Sequence, residues 1–252
     1  MGYVGFGLTF AAQADPAAAV PETGDYLEPA RLTATISSPE ERGSKELFRF
    51  RREATREGAT VRVLREYSRP DGTLVARERV VYQAGKLISF QLEEPLSGAH
   101  GSVLVQTDPD RPDRRNLNFD YTSETGSRKS DVENLEPDTL VNDTVGPFIA
   151  GHWAMLMKGE SAKARFVAVA RAETVGFKFL KESETTWRGR PVAIIRMQPT
   201  SWIIAQIVKP LRFVVEKESK HRVLQYTGRT TPRVLRGKRW EDVDAVTVFD
   251  WP

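Results

Sequence analysis

Apolar and polar residues alternate with a period of two along most of this chain, as they do in strands that bury one face. Phe48 and Phe50 alternate with Arg49 and Arg51, and Val175, Phe177 and Phe179 with Thr174, Gly176 and Lys178. Leu211, Phe213 and Val215 share one side of a further run, while residues 191–198 are apolar on both faces, as in a central strand. Between these runs, Arg69-Pro70-Asp71-Gly72, Ala84-Gly85 and Trp187-Arg188-Gly189-Arg190 read as tight turns. The pattern predicts about 11 or 12 strands joined mainly as meanders. No βαβ rhythm interrupts it, which points to an antiparallel sheet.

The period changes between Asn142 and Gly159. Val145, Phe148, Ile149, His152, Trp153 and Leu156 fall on one face of a 3.6-residue helix, and the opposite side carries Gly146, Ala150, Gly151, Ala154, Met155 and Met157 instead of charge. A helix apolar or small all round is expected to be wrapped. The fold expected is therefore mainly β, a large incurved antiparallel sheet (a half-barrel) around one central apolar helix, with a second short helix. That second helix falls in residues 201–210, where Ser201 can cap and Pro210 can stop an almost wholly apolar stretch. It reads either as a core helix over the mouth of the sheet or as a lid or membrane-touching tip. In the second reading, residues 202–208 (Trp202 first, Val208 last) meet a bilayer and Lys209 and Arg212 meet lipid phosphates.

An incurved sheet with an oily filling is suited to apolar ligands. The lining expected from the strands is Phe48, Phe50, Phe177, Phe179, Ile195 and Phe213, and from the helices Phe148, Trp153, Leu156, Trp202 and Ile203. His152 lies on the apolar stripe either as a polar anchor for a ligand headgroup or as a core histidine bonded to a backbone carbonyl.

Composition narrows the alternatives. With 252 residues, 40% hydrophobic and 28% charged, the chain is of ordinary globular type. It has no cysteine, which excludes disulfides and thiol chemistry. The 37 basic residues nearly balance 34 acidic ones. Arg49, Arg51, Arg52, Arg56, Arg62, Arg65 and Arg69 read as the solvated face of early strands or as contacts to anionic headgroups, with no nucleic-acid module beside them. Asp108-Pro109-Asp110-Arg111-Pro112-Asp113 resembles a calcium loop only superficially, because its prolines and arginines break the pattern; a solvated turn is expected. His100, His152 and His221 show no metal-ligand spacing, and GxSxG, Walker and dinucleotide motifs are missing. No catalytic residue, metal or cofactor is expected; the partner expected is a lipid or other hydrophobic small molecule. A filled barrel acting as an envelope scaffold is the second reading, and an enzyme on an envelope substrate the third.

Near the start, Gly2 to Phe10 is a short apolar run before Ala12-Gln13-Ala14, which matches a small-x-small cleavage pattern, although no basic residue precedes it. Residues 1–14 are therefore expected to be an export signal, 15–29 a proline-containing lead-in, and 30–252 a single half-barrel domain of a periplasmic protein.

Three short motifs add a resemblance. Gly189-Arg190-Pro191-Val192, Leu211-Arg212-Phe213 and Leu224-Gln225-Tyr226-Thr227-Gly228-Arg229 are similar to those of a large family of uncharacterised bacterial periplasmic proteins, over residues 140–232. The layout also looks like the lipoprotein-carrier half-barrels of the LolA/LolB type. That resemblance implies an incurved sheet lidded by helices and holding acyl chains, and it implies no catalytic residue. The first half departs from it in its richness in arginine.

Overall fold

A computed structural model describes residues 30–39, 45–206, 209–218 and 220–252. The expected signal and lead-in lie outside the described residues. Eight strands come first: β1 (Arg31–Ser37), β2 (Glu46–Glu57), β3 (Thr60–Ser68), β4 (Leu74–Gln83), β5 (Lys86–Glu94), β6 (Ala99–Thr107), β7 (Arg115–Thr122) and β8 (Arg128–Asn134). The chain then turns inward through β9 (Thr139–Leu140), a 3₁₀ turn at Asn142–Thr144, α1 (Val145–Gly151) and α2 (Trp153–Met157). It returns as β10 (Ala162–Ala168), β11 (Glu173–Trp187), β12 (Arg190–Pro199), α3 (Trp202–Ala205), β13 (Leu211–Glu216) and β14 (Val223–Arg229). A hairpin of β15 (Val234–Arg236) and β16 (Arg239–Glu241) precedes β17 (Asp244–Asp250).

The result is one 15-stranded sheet in the order β8-β7-β6-β5-β4-β3-β2-β1-β17-β14-β13-β12-β11-β10-β9, with β15–β16 apart. Every pairing is antiparallel except the short one of β9 with β10. The expected class, mainly β with a large open sheet and few short helices, holds. The strands exceed the expected 11 or 12 because β8 (RKSDVEN) holds one apolar residue and β9, β15 and β16 span only two or three residues, too few to show a period. β1 (RLTATIS) alternates cleanly and is simply not among the expected strands.

Turn chemistry behaves as read. Asp71 Oδ1 accepts from the Thr73 amide at 2.9 Å and Gly72 has φ 89°. Ala84 and Gly85 both have positive φ, as a two-residue hairpin requires.

The inward helix differs from expectation in two ways. It breaks at His152, which closes α1 with φ −101° and ψ 13°. The His152 ring nitrogen Nδ1 lies 2.9 Å from Phe148 O, so the side chain draws on the last carbonyls of α1 directly after Gly151, itself a poor helix former. Nor is the helix wrapped all round. Phe148, Ile149 and Leu156 pack on β10–β13, whereas Gly151, Ala154 and Met155 are exposed. Small side chains expose little apolar area, so the open side costs little.

Two apolar clusters flank the interior. One joins α1 and α2 to Phe177, Phe179, Ile195 and Phe213; the other fills β3–β7 with Val63, Val80, Leu117 and Phe119. A 3₁₀ turn at Val169–Arg171 pushes Val169 into the second cluster against Gly101. A Cβ at Gly101 would stand 2.4 Å from Val169 Cγ1 and 2.9 Å from Tyr121 Cδ2, so this approach requires glycine. Outside, β2–β5 carry a cross-strand ladder in which Arg51 and Arg77 both pair with Glu66 at 2.7 Å and Arg79 with Glu93 at 2.6 Å. Such a face belongs in water, because isolated or paired charges are costly in hydrocarbon.

Candidate functional site

Strand parity brings charge into the middle of the sheet. Arg52 follows Phe48 and Phe50 on the buried side of β2, Arg65 follows Val61 and Val63 on β3, and Glu78 precedes Val80 and Tyr82 on β4. Asp143, in the 3₁₀ turn ahead of α1, meets them. Arg52 donates to its carboxylate at 2.6 and 3.2 Å, Tyr82 Oη donates at 3.3 Å, and Arg65 lies 3.8 Å away. Arg65 also pairs with Glu78 at 3.1 Å, and Asn142 and Thr231 donate to Glu78 at 2.6 and 2.8 Å. Burial by itself would raise the Asp143 pKa, but Arg52 and Arg65 outweigh it and hold the carboxyl below its ordinary value. Burial pushes the Tyr67 hydroxyl up to about 12.

Among the described residues two arginines face two carboxylates here, and the cluster ties the inward turn to three strands of the first half. Arg52 and Arg65 are thus not on the solvated face where composition placed them. The signal was present: both share the parity of the neighbouring apolar residues.

The sheet does not close, and the gap between β8 and β10–β11 is bridged by side chains. Lys129, Asp131 and Glu133 stand opposite Tyr121, Phe119 and Leu117 in the β7–β8 register, so they point inward. Inward charges on an edge strand discourage further strand pairing. Here they also reach across. Lys129 Nζ donates to Ala170 O at 3.3 Å, and Glu133 accepts from the Thr174 amide at 3.1 Å and from its hydroxyl. Arg165 Nε donates to Thr174 Oγ1 at 2.6 Å and the guanidinium lies 3.8 Å from Glu133.

Beside these contacts runs an open cleft of about 640 Å³, lined by Val132, Glu133, Asn134, Glu136, Pro137, Lys163, Ala164, Arg165, Gly176, Phe177 and Thr200. Its floor is apolar at Ala164 and Phe177, and Lys163 and Arg165 supply cations at its rim. Because β9 covers only Arg165 and Phe166 of β10, the lower part of that edge borders the cleft without a strand partner.

Of the residues expected to line a ligand cavity, Phe177 borders this cleft. Phe148, Leu156, Phe179, Ile195 and Phe213 are packed against one another around α1 and α2; Phe148 and Phe179 ring centroids are 4.9 Å apart. Phe48 and Phe50 belong to a separate cluster on β1, β2 and β17. His152 bonds Phe148 O, and Trp153 stacks on His221 at 4.2 Å. Trp202 and Ile203, expected to pack inward, are instead 71% and 57% exposed, because α3 spans only four residues and stands at the sheet end. Arg212, expected beside them at a membrane, turns to the outer wall, where Glu182 accepts from it at 2.7 and 3.2 Å. Ile207 and Val208 lie outside the described residues. The Asp108 loop is a turn in which Asp108 Oδ1 accepts from the Asp110 and Arg111 amides at 3.0 and 3.2 Å. Among the described residues no group of three or more His, Asp or Glu could hold a metal ion.

These features define an open, barrel-like, mainly β protein with a cleft at its seam. No family model matches the chain, and no curated protein matches it. Among solved structures it is similar to a beta-barrel-like protein of domain of unknown function DUF1849 from Brucella abortus (8% identity, TM-score 0.36, covering 88% of this chain and 96% of that one). It is also similar to a porin-like protein from Bacteroides uniformis (6% identity, TM-score 0.30, covering 88% and 96%). A DUF1329 family protein from Desulfovibrio piger gives 11% identity, a TM-score of 0.25 and coverage of 90% and 86%.

Proposed function

We propose that this chain binds a lipid or other amphiphile, with the apolar part of the ligand in the seam cleft and its polar end at Lys163 and Arg165. The observation that carries the reading is the cleft itself. At about 640 Å³ it falls within the roughly 300–1,000 Å³ of small-molecule sites. It sets the apolar Val132, Pro137, Ala164 and Phe177 among the charged Glu133, Glu136, Lys163 and Arg165, a mixed lining that suits an amphiphile better than a purely apolar ligand. Each methylene moved out of water contributes about 0.8 kcal/mol, so affinity needs no special chemistry. The proposal moves the site from the barrel centre, occupied by α1, α2 and the Asp143 cluster, to the place where the sheet stays open. No reaction is assigned to it. A place in the bacterial envelope belongs to the same proposal and is supported by the apolar Gly2 to Phe10 run before Ala12-Gln13-Ala14.

The test is native mass spectrometry of protein taken from cells, together with titration by a fluorescent fatty-acyl probe. Bound lipid is expected, and Val132→Arg with Lys163→Glu should weaken the probe at least about fivefold; both positions are exposed, so folding is not at risk. A clean apo mass with no probe binding would leave a second reading, favoured by the close packing of Phe148, Leu156, Phe179 and Ile195: a filled barrel serving as a non-catalytic envelope interaction protein.

A further inference from the structure

The end of the sheet where β12, β14 and β5 finish gathers apolar points and positive charge. The β12–β13 connection places Trp202 and Ile203 there, 71% and 57% exposed. The β14–β17 connection is the β15–β16 hairpin, with Leu235 52% exposed and Arg236, Lys238 and Arg239 exposed around its tip. β13 lies between β12 and β14 and runs antiparallel to both, so the two connections are neighbours. Lys209, 3.9 Å from Asp244 at the start of β17, joins them. Across the mouth, Arg233 at the hairpin root donates to Glu94 Oε2 at 2.5 Å, which holds the hairpin beside the β5–β6 turn and its exposed Leu96.

We propose that this end docks on an anionic bilayer surface, with Trp202, Ile203 and Leu235 entering the headgroup boundary and Lys209, Lys238 and Arg239 meeting lipid phosphates. Charge complementarity singles out this occupant. Among the described residues 233–244, each acid is already engaged: Asp242 and Asp244 by Arg229, and Glu241 by Arg236. Among the described residues Lys238 and Arg239 form no ion pair. The apolar points sit on separate tips around a mouth, not on one continuous face. A bilayer conforms to such points, whereas a folded partner needs a matching surface. Trp is suited to the boundary because its ring is apolar and its N–H polar. The proposal stands on these tips and not on the seam cleft.

Co-sedimentation of the full chain with vesicles tests it. Binding to phosphatidylcholine vesicles containing phosphatidylglycerol is expected, falling about tenfold or more on phosphatidylcholine alone and on raising the salt. Trp202→Ser with Ile203→Ser, and separately Lys238→Glu with Arg239→Glu, should each weaken binding by about tenfold or more while acyl-probe binding in the seam stays at the unsubstituted level. Leu104→Ser, at an exposed apolar residue on the outer wall, should leave vesicle binding unchanged. The proposal fails if the unsubstituted chain does not sediment with anionic vesicles, if either pair of substitutions leaves binding intact, or if Trp202 instead mediates self-association without vesicle binding.

Discussion

Replacing Asp143 by Asn removes one charge from the centre of the molecule and little else. The carboxylate side chain is 2% exposed, accepts two bonds from Arg52 and one from Tyr82, and faces Arg65 at 3.8 Å. Without it, Arg52 loses both of these charge-assisted bonds, while Arg65 keeps Glu78 at 3.1 Å. Breaking a buried ion pair in this way costs about 3–5 kcal/mol. With a urea m-value of about 2–3 kcal/mol/M, the unfolding midpoint should fall by about 1–2.5 M with the slope unchanged. The paired control is Glu46→Gln at the exposed Arg49 contact, where both side chains meet solvent, and its effect should stay within about 0.5 kcal/mol. Acid adds a second readout. The Asp143 pKa is depressed in the folded state, so its stabilisation is present above the unfolded carboxyl value of 3.8 and is lost as pH falls through the folded value. Asp143→Asn should therefore flatten the loss of stability below about pH 4. A loss under about 1 kcal/mol for Asp143→Asn would refute the reasoning, because it would mean that the guanidinium groups reach water or another partner.

Three further outcomes follow from particular contacts. Gly228→Ala should destabilise by about 1–3 kcal/mol in thermal melts, because a Cβ there would lie 2.3 Å from Leu211 Cδ2 and 3.0 Å from the Tyr226 hydroxyl. Glu133→Ala should speed amide exchange at Thr174 by about tenfold, since it removes the acceptor that bridges the seam, while exchange in β3 and β4 stays slow. Tyr67→Phe should make alkaline unfolding shallower. Burial raises the Tyr67 pKa to about 12, so its contribution is complete below the unfolded value near 10 and is lost as pH rises through the folded one; equal slopes with and without the hydroxyl would refute this.

The motif around Gly228 shows how much meaning a short string can hold without naming a function. In Leu224-Gln225-Tyr226-Thr227-Gly228-Arg229, Tyr226 Oη donates to Arg229 O at 2.6 Å, and the glycine makes room for Leu211 from the neighbouring strand. Gly189, with φ 81°, sits likewise in the β11–β12 turn. These residues serve strand and turn geometry.

What the sequence determined by itself was local. Period-two alternation set which residues of β2, β11 and β13 face inward, Gly and Asp set the turns, and the 3.6 period marked the inward helix, because each signal depends on neighbours within a few positions. Parity also contained Arg52, Arg65 and Glu78, although their charge made an outward reading natural. Only the tertiary structure decided that Asp143 would meet those arginines and Asn142 and Thr231 would donate to Glu78, that α3 would stand outward, and that β8 would face β11 across a gap. Those outcomes depend on contacts between residues far apart in the chain, where compensation of buried charge and the competition for sheet edges are settled by the whole fold at once.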